Sequence, residues 1–316
     1  MFQKNITLAT HSNYKIGGPA SYFVSAKNVE KIEGALDKWR SIHQCGKFCP
    51  HIFILGGGTN LLISDEGFNG LVLKPEIKLL KVQGEMVRIG AGVSMQNLLQ
   101  FTIDNSLSGL EWAGGLPGTV GGAVRGNAGA FSGEIKDVIK EVVSLDISGK
   151  TPKIIRRSNK QCKFGYRNSI FKINNGKEVI VEAVFEMKKG DKKAIRAAIE
   201  EKIIYRKERQ PLEYPNIGSI FKNVDLRLVP QKLRLQFARV VKTDPFPVVP
   251  TAHLIDQIGL KGVSCGGAMI SPKHPNFIVN TLGASAKDVK SLIDIAKYGV
   301  KEKFGITLEE EIQYVS

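Results

Sequence analysis

The stretch GLPGTVGGAVRGNAG, residues 115–129, holds six glycines in fifteen residues. Glycine accepts a positive φ and has no side chain, so a ligand can approach the main-chain amides of such a loop. A second glycine loop, GGGTN at residues 56–60, lies between the apolar runs 51–55 and 61–63. That second pattern predicts a strand, a glycine turn and another strand.

Neither loop fits the G-x-G-x-x-G fingerprint of a Rossmann unit or a P-loop with its Lys-Ser/Thr ending. For each loop alone, tight turns and bulges in a crowded β structure are an equally good interpretation. Two such loops in one chain favour a nucleotide cofactor bound by loops between strands.

The rest of the chain mixes strands and helices. Short apolar runs predict strands at 87–89, 142–147 and 179–185. Apolar spacings of three and four predict a helix over 94–106, and a second helix is predicted over 191–209.

The last hundred residues add one more helix and one more strand. A third helix is predicted over 286–304, which Gly305 ends, and the alternating stretch 306–315 predicts a last strand. Strands and helices do not alternate regularly, so we predict an α+β fold.

The composition limits which classes of protein the chain can belong to. No window approaches the roughly 18 apolar residues of a membrane span, and the first fifteen residues lack the apolar core of a signal peptide. We therefore expect a cytoplasmic chain without a transmembrane segment. The cysteines lack zinc-like spacing, so we expect free thiols and no metal site. They are Cys45, Cys49, Cys162 and Cys265.

The formal net charge of +15 allows nucleic acid, a membrane surface or small phosphorylated molecules as partners. The cations are spread along the chain, and an aromatic content of 8% does not indicate a stacking platform for single strands. We expect no nucleic-acid partner. A basic nucleic-acid-binding protein without catalysis stays an alternative.

Two further stretches contain candidate chemical groups. CKFGYRNS, residues 162–169, places Tyr166 and Arg167 in a turn, where the guanidinium suits a carboxylate or phosphate. NIGSIFKN, residues 216–223, places Ser219 after a glycine. The simpler interpretations are a surface arginine beside a packing tyrosine, and a turn that leads into a strand.

In order along the chain, these motifs resemble the UDP-N-acetylenolpyruvoylglucosamine reductases, also called UDP-N-acetylmuramate dehydrogenases. The resemblance runs nearly end to end and is to the shorter subtype without an additional tyrosine-bearing loop. It rests on HSNYKIGGPASYF, GGGTNLLISDEGFNGLV, GLEWAGGLPGTVGGAVRGNAGAFSGEIKDV, FGYRNSIF, RQPLEYPNIGSIFKN, LIDQIGLKG, GGAMISPKHPNFIVN and FGITLEEEI.

The resemblance implies an FAD-dependent enzyme of peptidoglycan precursor synthesis, part of cell wall biogenesis, cell shape and cell division. NADPH would be the reductant, UDP-N-acetylglucosamine enolpyruvate the substrate and UDP-N-acetylmuramate the product. It also implies an FAD-binding α+β unit of the vanillyl-alcohol-oxidase (PCMH) type before a smaller α+β substrate-binding domain. We expect a monomer. An FAD-dependent oxidoreductase of the same fold that acts on another substrate is the alternative.

The resemblance also implies roles for single residues. Arg167 would hold the substrate carboxylate, Ser219 would donate a proton, and Glu311 would stabilise or protonate the enol intermediate. Tyr166, Arg209, Lys222 and Asn223 would bind the substrate. The residues expected to bind the cofactor are Gly56, Gly57, Gly58, Thr59, Asn60, Leu61, Pro117, Gly118, Thr119, Gly121, Gly122, Asn127 and Gly129.

We predict three parts: FAD-binding subdomains at 1–74 and 75–209, and a substrate-binding domain at 210–316. An insert at about 224–250 makes the connection after Asn223 longer than in relatives by roughly twenty residues. Leu233 and Phe237 lie there at helical spacing among cations, which predicts a short basic amphipathic helix. A lid, a membrane-surface contact and an insert packed outside the domain are the alternatives.

Arg209 and Met269 depart from the family pattern. Arg209 stands where relatives commonly have lysine, which keeps the charge but not the geometry. Met269 stands where relatives usually have a polar residue, so a hydrogen bond from that side chain is not expected.

Overall fold

The computed structural model describes residues 2–43, 51–244 and 246–316. Cys45 and Cys49 lie outside these described residues. Cys162 and Cys265 are unpaired, and burial raises the pKa of the Cys162 thiol to about 11. A thiol with a raised pKa is a poor nucleophile, so Cys162 is a packing residue.

The strands are β1 (Gln3–Thr7), β2 (Pro19–Ala26), β3 (Ile52–Ile54), β4 (Leu61–Ile63), β5 (Phe68–Pro75), β6 (Leu80–Gln83), β7 (Met86–Gly90), β8 (Leu107–Ser108), β9 (Gly129–Ala130), β10 (Gly133–Glu134), β11 (Ile139–Asp146), β12 (Lys153–Ser158), β13 (Glu178–Glu186), β14 (Lys188–Lys189), β15 (Val224–Asp225), β16 (Val248–Val249), β17 (Ser264–Cys265), β18 (Ala268–Ile270), β19 (Ile278–Asn280) and β20 (Gln313–Val315). The helices are α1 (Val29–His43), α2 (Met95–Asp104), α3 (Val120–Gly126), α4 (Ile170–Ile173), α5 (Lys192–Arg209), α6 (Gln231–Phe237), α7 (Thr251–Gln257) and α8 (Ala286–Phe304).

These bounds confirm most of the predicted elements. β3 and β4 flank the first glycine loop, and β7, β11 and β13 account for the three apolar runs. The helices α2, α5 and α8 are the three predicted from spacing and turn residues.

The chain forms two compact units. The first contains residues 1–6, 20–57 and 68–205, and the second contains 7–19, 58–67 and 206–316. The division predicted from sequence, at 74 and 209, stays a prediction about the binding domains.

The first unit contains the larger sheets. β2, β5 and β3 pair in parallel, with β1 beside β2. The second sheet is antiparallel, with the strand order β12-β11-β13-β7-β6. Buried side chains of α2, among them Leu98 and Ile103, share a core with Val87 and Ile89 of β7. Glycine loop residues Gly56 and Gly57 follow β3 and therefore start from a rigid sheet.

The second unit has a smaller core under α8. Leu292, Ile293 and Val300 of α8 are buried in one cluster with Ala268 and Ile270 of β18. α8 begins at a capping box formed by Ser285 and Asp288 and ends at Gly305, whose φ is 68°. Glycine is favoured at that position because it adopts the left-handed conformation without steric cost.

The prediction of one strand over residues 306–315 is wrong in its length. Only β20 is a strand, and it pairs in parallel with β4. Residues 309–311 lie extended along 220–222 instead: the Lys222 amide donates to Glu309 O at 2.9 Å and the Glu311 amide donates to Ile220 O at 2.8 Å. A bend at Ile312 separates the two pairings. The residues before the bend pair with 220–222, and the residues after it pair with β4.

The insert forms the predicted short helix, α6. β15 and β16 pair at its base, and the buried ring of Phe237 meets Phe304 and His253 edge-on at centroid distances of 5.5 Å and 6.0 Å. Leu235, on the opposite side of α6, is 89% exposed. These contacts favour an insert packed on the second unit.

Candidate active site

The two glycine loops touch each other in the first unit. A Cβ on Gly57 would lie 2.7 Å from Gly118 Cα, closer than real Cβ atoms approach a neighbour. A Cβ on Gly56 would lie 3.2 Å from Thr119 Oγ1. Any side chain at Gly57 would therefore push the loops apart.

Where the two loops touch, four main-chain amides have no acceptor among the described residues. Within the described chain, the amides of Gly56, Gly57, Gly118 and Thr119 donate to no protein oxygen. Clustered amides form an anion-binding concavity, and glycine gives a ligand access to them. These loops therefore fit the diphosphate of a dinucleotide.

α3 continues from the second loop. The Thr119 side chain accepts a hydrogen bond from the Gly122 amide at 3.4 Å, and the Gly121 amide donates to Ala91 O at 2.9 Å. Asn127 ends the helix in the left-handed conformation, and its buried side chain donates to Gly165 O at 3.0 Å and accepts from the Lys136 amide. The Asn127 side chain thus ties the loop to the Tyr166–Arg167 turn.

Arg167 is held against the end of the glycine stretch. Its φ is 54°, and its Nη2 donates to Gly129 O at 2.8 Å. The guanidinium lies 5.1 Å from the centroid of the Tyr166 ring. A non-glycine residue with positive φ is uncommon, and such strain tends to occur at functional sites.

Two basic residues that bond to the segment 167–169 were missed by the sequence reasoning. Lys172 Nζ donates to Arg167 O at 3.0 Å, and the Arg125 carbonyl accepts from Ser169 Oγ at 2.6 Å. Desolvation by burial lowers the pKa of the Arg125 guanidinium. A cation inside a glycine-rich stretch is the sequence signal that points to Arg125.

The remaining residues of the first glycine loop, from Gly58 onward, belong to the second unit, where Asn60 contacts Glu311. Asn60 Nδ2 donates to Glu311 O at 3.1 Å, and Asn60 O accepts from the Gln313 amide at 3.0 Å. Leu61 pairs with Gln313 in the parallel ladder. Gly58 has a φ of 66° and no room for a side chain, because a Cβ would lie 2.0 Å from His11 O.

Ser219 lies beside the Glu311 segment. The serine is half-buried and precedes Ile220, whose carbonyl accepts the Glu311 amide. On the other side of the segment, the Ile220 amide donates to Asn276 O at 2.8 Å. The structure therefore brings two of the three predicted catalytic residues onto adjacent extended segments of one unit, and Arg167 belongs to the other unit.

The three adjacent glutamates have different surroundings. Glu309 forms an ion pair with Lys222. Glu310 accepts from Lys297 Nζ at 2.7 Å and Tyr314 Oη at 2.6 Å. Burial opposes ionisation of Glu310, but these hydrogen bonds outweigh it and hold the pKa of the carboxyl below its ordinary value. The Glu310 carboxylate is thus bound to Lys297 of α8 and to Tyr314.

The predicted substrate-binding residues of the second unit are spread over two places. Lys222 and Asn223 lie three and four residues after Ser219, and the Asn223 side chain accepts from the Thr251 amide at 3.2 Å. Arg209 is exposed at the end of α5, where its Nη1 lies 3.1 Å from Glu208 Oε2.

Models of two protein families match the chain. Residues 210–315 match the C-terminal domain of UDP-N-acetylenolpyruvoylglucosamine reductase, and residues 22–154 match an FAD binding domain. No helix among the described residues is long and apolar enough to cross a membrane.

Curated relatives match over almost the whole chain. UDP-N-acetylenolpyruvoylglucosamine reductase from Clostridium novyi is 38% identical, over 99% of this chain and 92% of the relative. The enzyme of the same name from Lachnoclostridium phytofermentans is also 38% identical, over 98% and 92%.

A solved structure confirms the α+β fold. The reductase from Thermus caldophilus superimposes with a TM-score of 0.77 at 28% identity and covers 100% of both chains. The match to an FAD binding domain also confirms the predicted FAD-binding class of the fold.

Proposed function

The chain belongs to the UDP-N-acetylenolpyruvoylglucosamine reductase family, and we propose that Arg167, Ser219 and Glu311 carry its reaction. The enzyme reduces UDP-N-acetylglucosamine enolpyruvate to UDP-N-acetylmuramate with NADPH, in peptidoglycan precursor synthesis. The two glycine loops would hold FAD, which when bound would supply hydride transfer from NADPH to the β carbon of the enolpyruvyl group.

The reaction needs a cation and an acid from the protein. Hydride at the β carbon builds negative charge on the α carbon and its carboxylate, and a proton at the α carbon completes the lactyl ether. The Arg167 guanidinium, whose five donors match a carboxylate, stabilises that charge. Ser219 gives up its hydroxyl proton to the α carbon, and that proton is replaced through neighbouring groups or water.

A serine hydroxyl is a weak acid, so its position decides whether it can act as the proton donor. The proton leaves toward a strongly basic carbanion, and the acid must be held within hydrogen-bond reach of that carbon. The hydrogen bond between the Glu311 amide and Ile220 O supports this role, since it fixes the glutamate beside the serine segment. Glu311 stabilises or protonates the enol intermediate together with Arg167.

FAD would be held mainly by main-chain groups of the two glycine loops. The amides of Gly56, Gly57, Gly118 and Thr119 suit its diphosphate because they lack protein acceptors within the described chain. Gly58, Thr59, Asn60, Leu61, Pro117, Gly121, Gly122, Asn127 and Gly129 complete the proposed site. Asn127 contributes through its main chain, because protein groups already bond its side chain.

Four cationic or polar side chains would bind the UDP-sugar diphosphate. Lys222 and Asn223 directly follow the serine segment, and Arg209 and Tyr166 add a guanidinium and a phenol. These groups also agree with the basic character of the chain, because both substrates and the cofactor are anionic.

We also propose that the enzyme is a cytoplasmic monomer. Light scattering on the purified protein and fractionation of the cells that produce it test the two parts of this proposal. A stable dimer, or activity in the membrane fraction, would contradict the corresponding part.

The observation that supports the assignment of roles is the hydrogen bond from the Glu311 amide to the carbonyl of Ile220, the residue after Ser219, in a chain of this family. The experiment that tests the activity is NADPH oxidation by the yellow, FAD-loaded protein, with and without the enolpyruvyl UDP-sugar. We expect oxidation that depends on the sugar. NADPH oxidation with no response to the sugar would overturn the function.

A further inference from the structure

We infer that Asn276 is a positioning residue that sets the Ser219 hydroxyl for proton transfer, with Asn216 supporting it from the other side. The inference rests on the proposed function, because it concerns the residue that donates the proton. Neither asparagine has to touch the substrate, since each acts on the main chain around Ser219.

Asn276 binds both residues that follow Ser219. Its side-chain Oδ1 accepts from the Phe221 amide at 3.0 Å, and its Nδ2 donates to Phe221 O at 2.9 Å. Its own carbonyl accepts from the Ile220 amide at 2.8 Å. Asn276 is 3% exposed, so water cannot replace these bonds readily.

Asn216 fixes the main chain on the other side of the serine. Its Oδ1 accepts from the Gly218 amide at 3.0 Å, and its Nδ2 donates to Tyr214 O at 2.9 Å. Gly218 has a φ of 83°, a conformation that favours glycine. Gly218 thus precedes Ser219 and is bonded to the buried Asn216. Ile220 and Phe221 follow Ser219 and are bonded to the buried Asn276.

The Asn276 bonds reach the same residue that contacts Glu311. Ile220 donates to Asn276 through its amide and accepts the Glu311 amide through its carbonyl. A shift of the Ile220–Phe221 main chain would therefore move Ser219 relative to Glu311. Misplacement by about 1 Å can cost on the order of 100-fold in rate.

A simpler role for Asn276 is to satisfy buried peptide groups. Both roles predict lost stability on substitution, so stability cannot separate them. Only a positioning role predicts a selective loss in the step that uses the Ser219 proton.

The chain offers a matched control in Asn280. This asparagine is also buried in the second unit, where its Nδ2 donates to Tyr14 O at 3.0 Å and its Oδ1 accepts from the Ala284 amide at 2.8 Å. Its side chain makes the same kinds of bond as that of Asn276, but to Tyr14 and Ala284. Its main-chain amide donates to Pro215 O at 2.9 Å, a bond that the alanine substitution keeps.

The test compares FAD-loaded Asn276→Ala, Asn280→Ala and Ser219→Ala by stopped flow. One experiment follows flavin reduction by NADPH, and the other follows reoxidation of the reduced enzyme by saturating enolpyruvyl UDP-sugar. For Asn276→Ala we expect reoxidation to slow by roughly 10- to 100-fold with a larger solvent deuterium isotope effect, and flavin reduction to stay within about twofold. For Asn280→Ala we expect both rates within about twofold of wild type, whatever its melting temperature.

Equal losses in the two asparagine variants, or an unchanged reoxidation rate in Asn276→Ala, would overturn the inference. An unchanged reoxidation rate in Ser219→Ala would instead overturn the role proposed for the serine. The two failures are therefore distinguishable in one set of measurements. If Asn276→Ala does not fold, Asn276→Ser, which keeps one short polar group, replaces it under the same criteria.

Discussion

The Glu311 amide donates to the Ile220 carbonyl at 2.8 Å, which places the glutamate beside the segment that carries Ser219. Asn60, from the first glycine loop, donates to the carbonyl of the same glutamate at 3.1 Å. A residue near the C-terminus is thereby joined to two stretches far away in the sequence.

Glu311→Gln tests the role of that glutamate. The amide keeps the size and the main-chain bonds but can neither carry a carboxylate charge nor act as a carboxylic acid. We expect the reoxidation rate with the UDP-sugar to fall by about 100-fold, while NADPH reduces the flavin normally. Glu302→Gln, at an exposed position of α8, is the control and should change neither rate. Equal rates for Glu311→Gln and wild type would contradict the assignment.

Arg167→Lys tests whether the guanidinium fork is required. Arg167 binds Gly129 O through Nη2, and a guanidinium presents its donors in a planar fork that matches a carboxylate, whereas lysine has a single nitrogen. We expect kcat to fall by roughly 100- to 1,000-fold despite the retained charge. Arg88→Lys, at an exposed ion pair with Glu182, should leave kcat unchanged. A lysine variant with full activity would show that charge alone suffices.

Phe237→Ala tests whether the insert is packed on the second unit. The ring is fully buried against Phe304 and His253, so its removal should lower the free energy of unfolding by about 3–5 kcal/mol in urea denaturation. Leu235→Ala removes an exposed side chain of the same helix and should cost less than about 0.5 kcal/mol. Similar, small losses in both variants would indicate that the insert is loosely attached.

His274 should make stability depend on pH. Burial, together with the nearby Lys242 charge, lowers its pKa from 6.5 to about 4, and among the described residues Nδ1 finds no hydrogen-bond partner. As pH falls through 6.5, the unfolded chain binds the proton and the folded chain does not, so acid favours unfolding until the folded pKa is reached.

The measurement is urea unfolding of wild type and His274→Leu at pH 7 and pH 5. Wild type should lose roughly 2 kcal/mol more than the leucine variant between these two values. Parallel losses in the two proteins would show that His274 does not titrate differently on folding.

The sequence predicted elements whose signals are local. α8 is an example, because its apolar spacing and Gly305 lie within the helix itself. The partners of residues 306–315 could not be predicted this way, since β20 pairs with β4 and Glu310 bridges Phe221. Such pairings depend on contacts between distant segments, and a single sequence does not display them.

The same limit applied to the candidate site. The NIGSIFKN stretch suggested a serine in a turn, but nothing near it in the sequence identified Asn276 as the residue that binds Phe221 through both side-chain atoms. Arg125 was missed for another reason. The glycines around it were interpreted as the functional residues of that stretch, and the desolvation of its guanidinium is visible only in the fold.

The central claim is that Ser219 donates the proton that completes sugar reduction, and Ser219→Ala tests it most directly. Stopped-flow absorbance should show flavin reduction by NADPH at the wild-type rate and reoxidation by the enolpyruvyl UDP-sugar slowed by about 100- to 10,000-fold. Ser264→Ala, at an exposed serine of the same unit, should match wild type in both experiments. Reoxidation of Ser219→Ala at the wild-type rate would contradict the claim and assign the proton to another group.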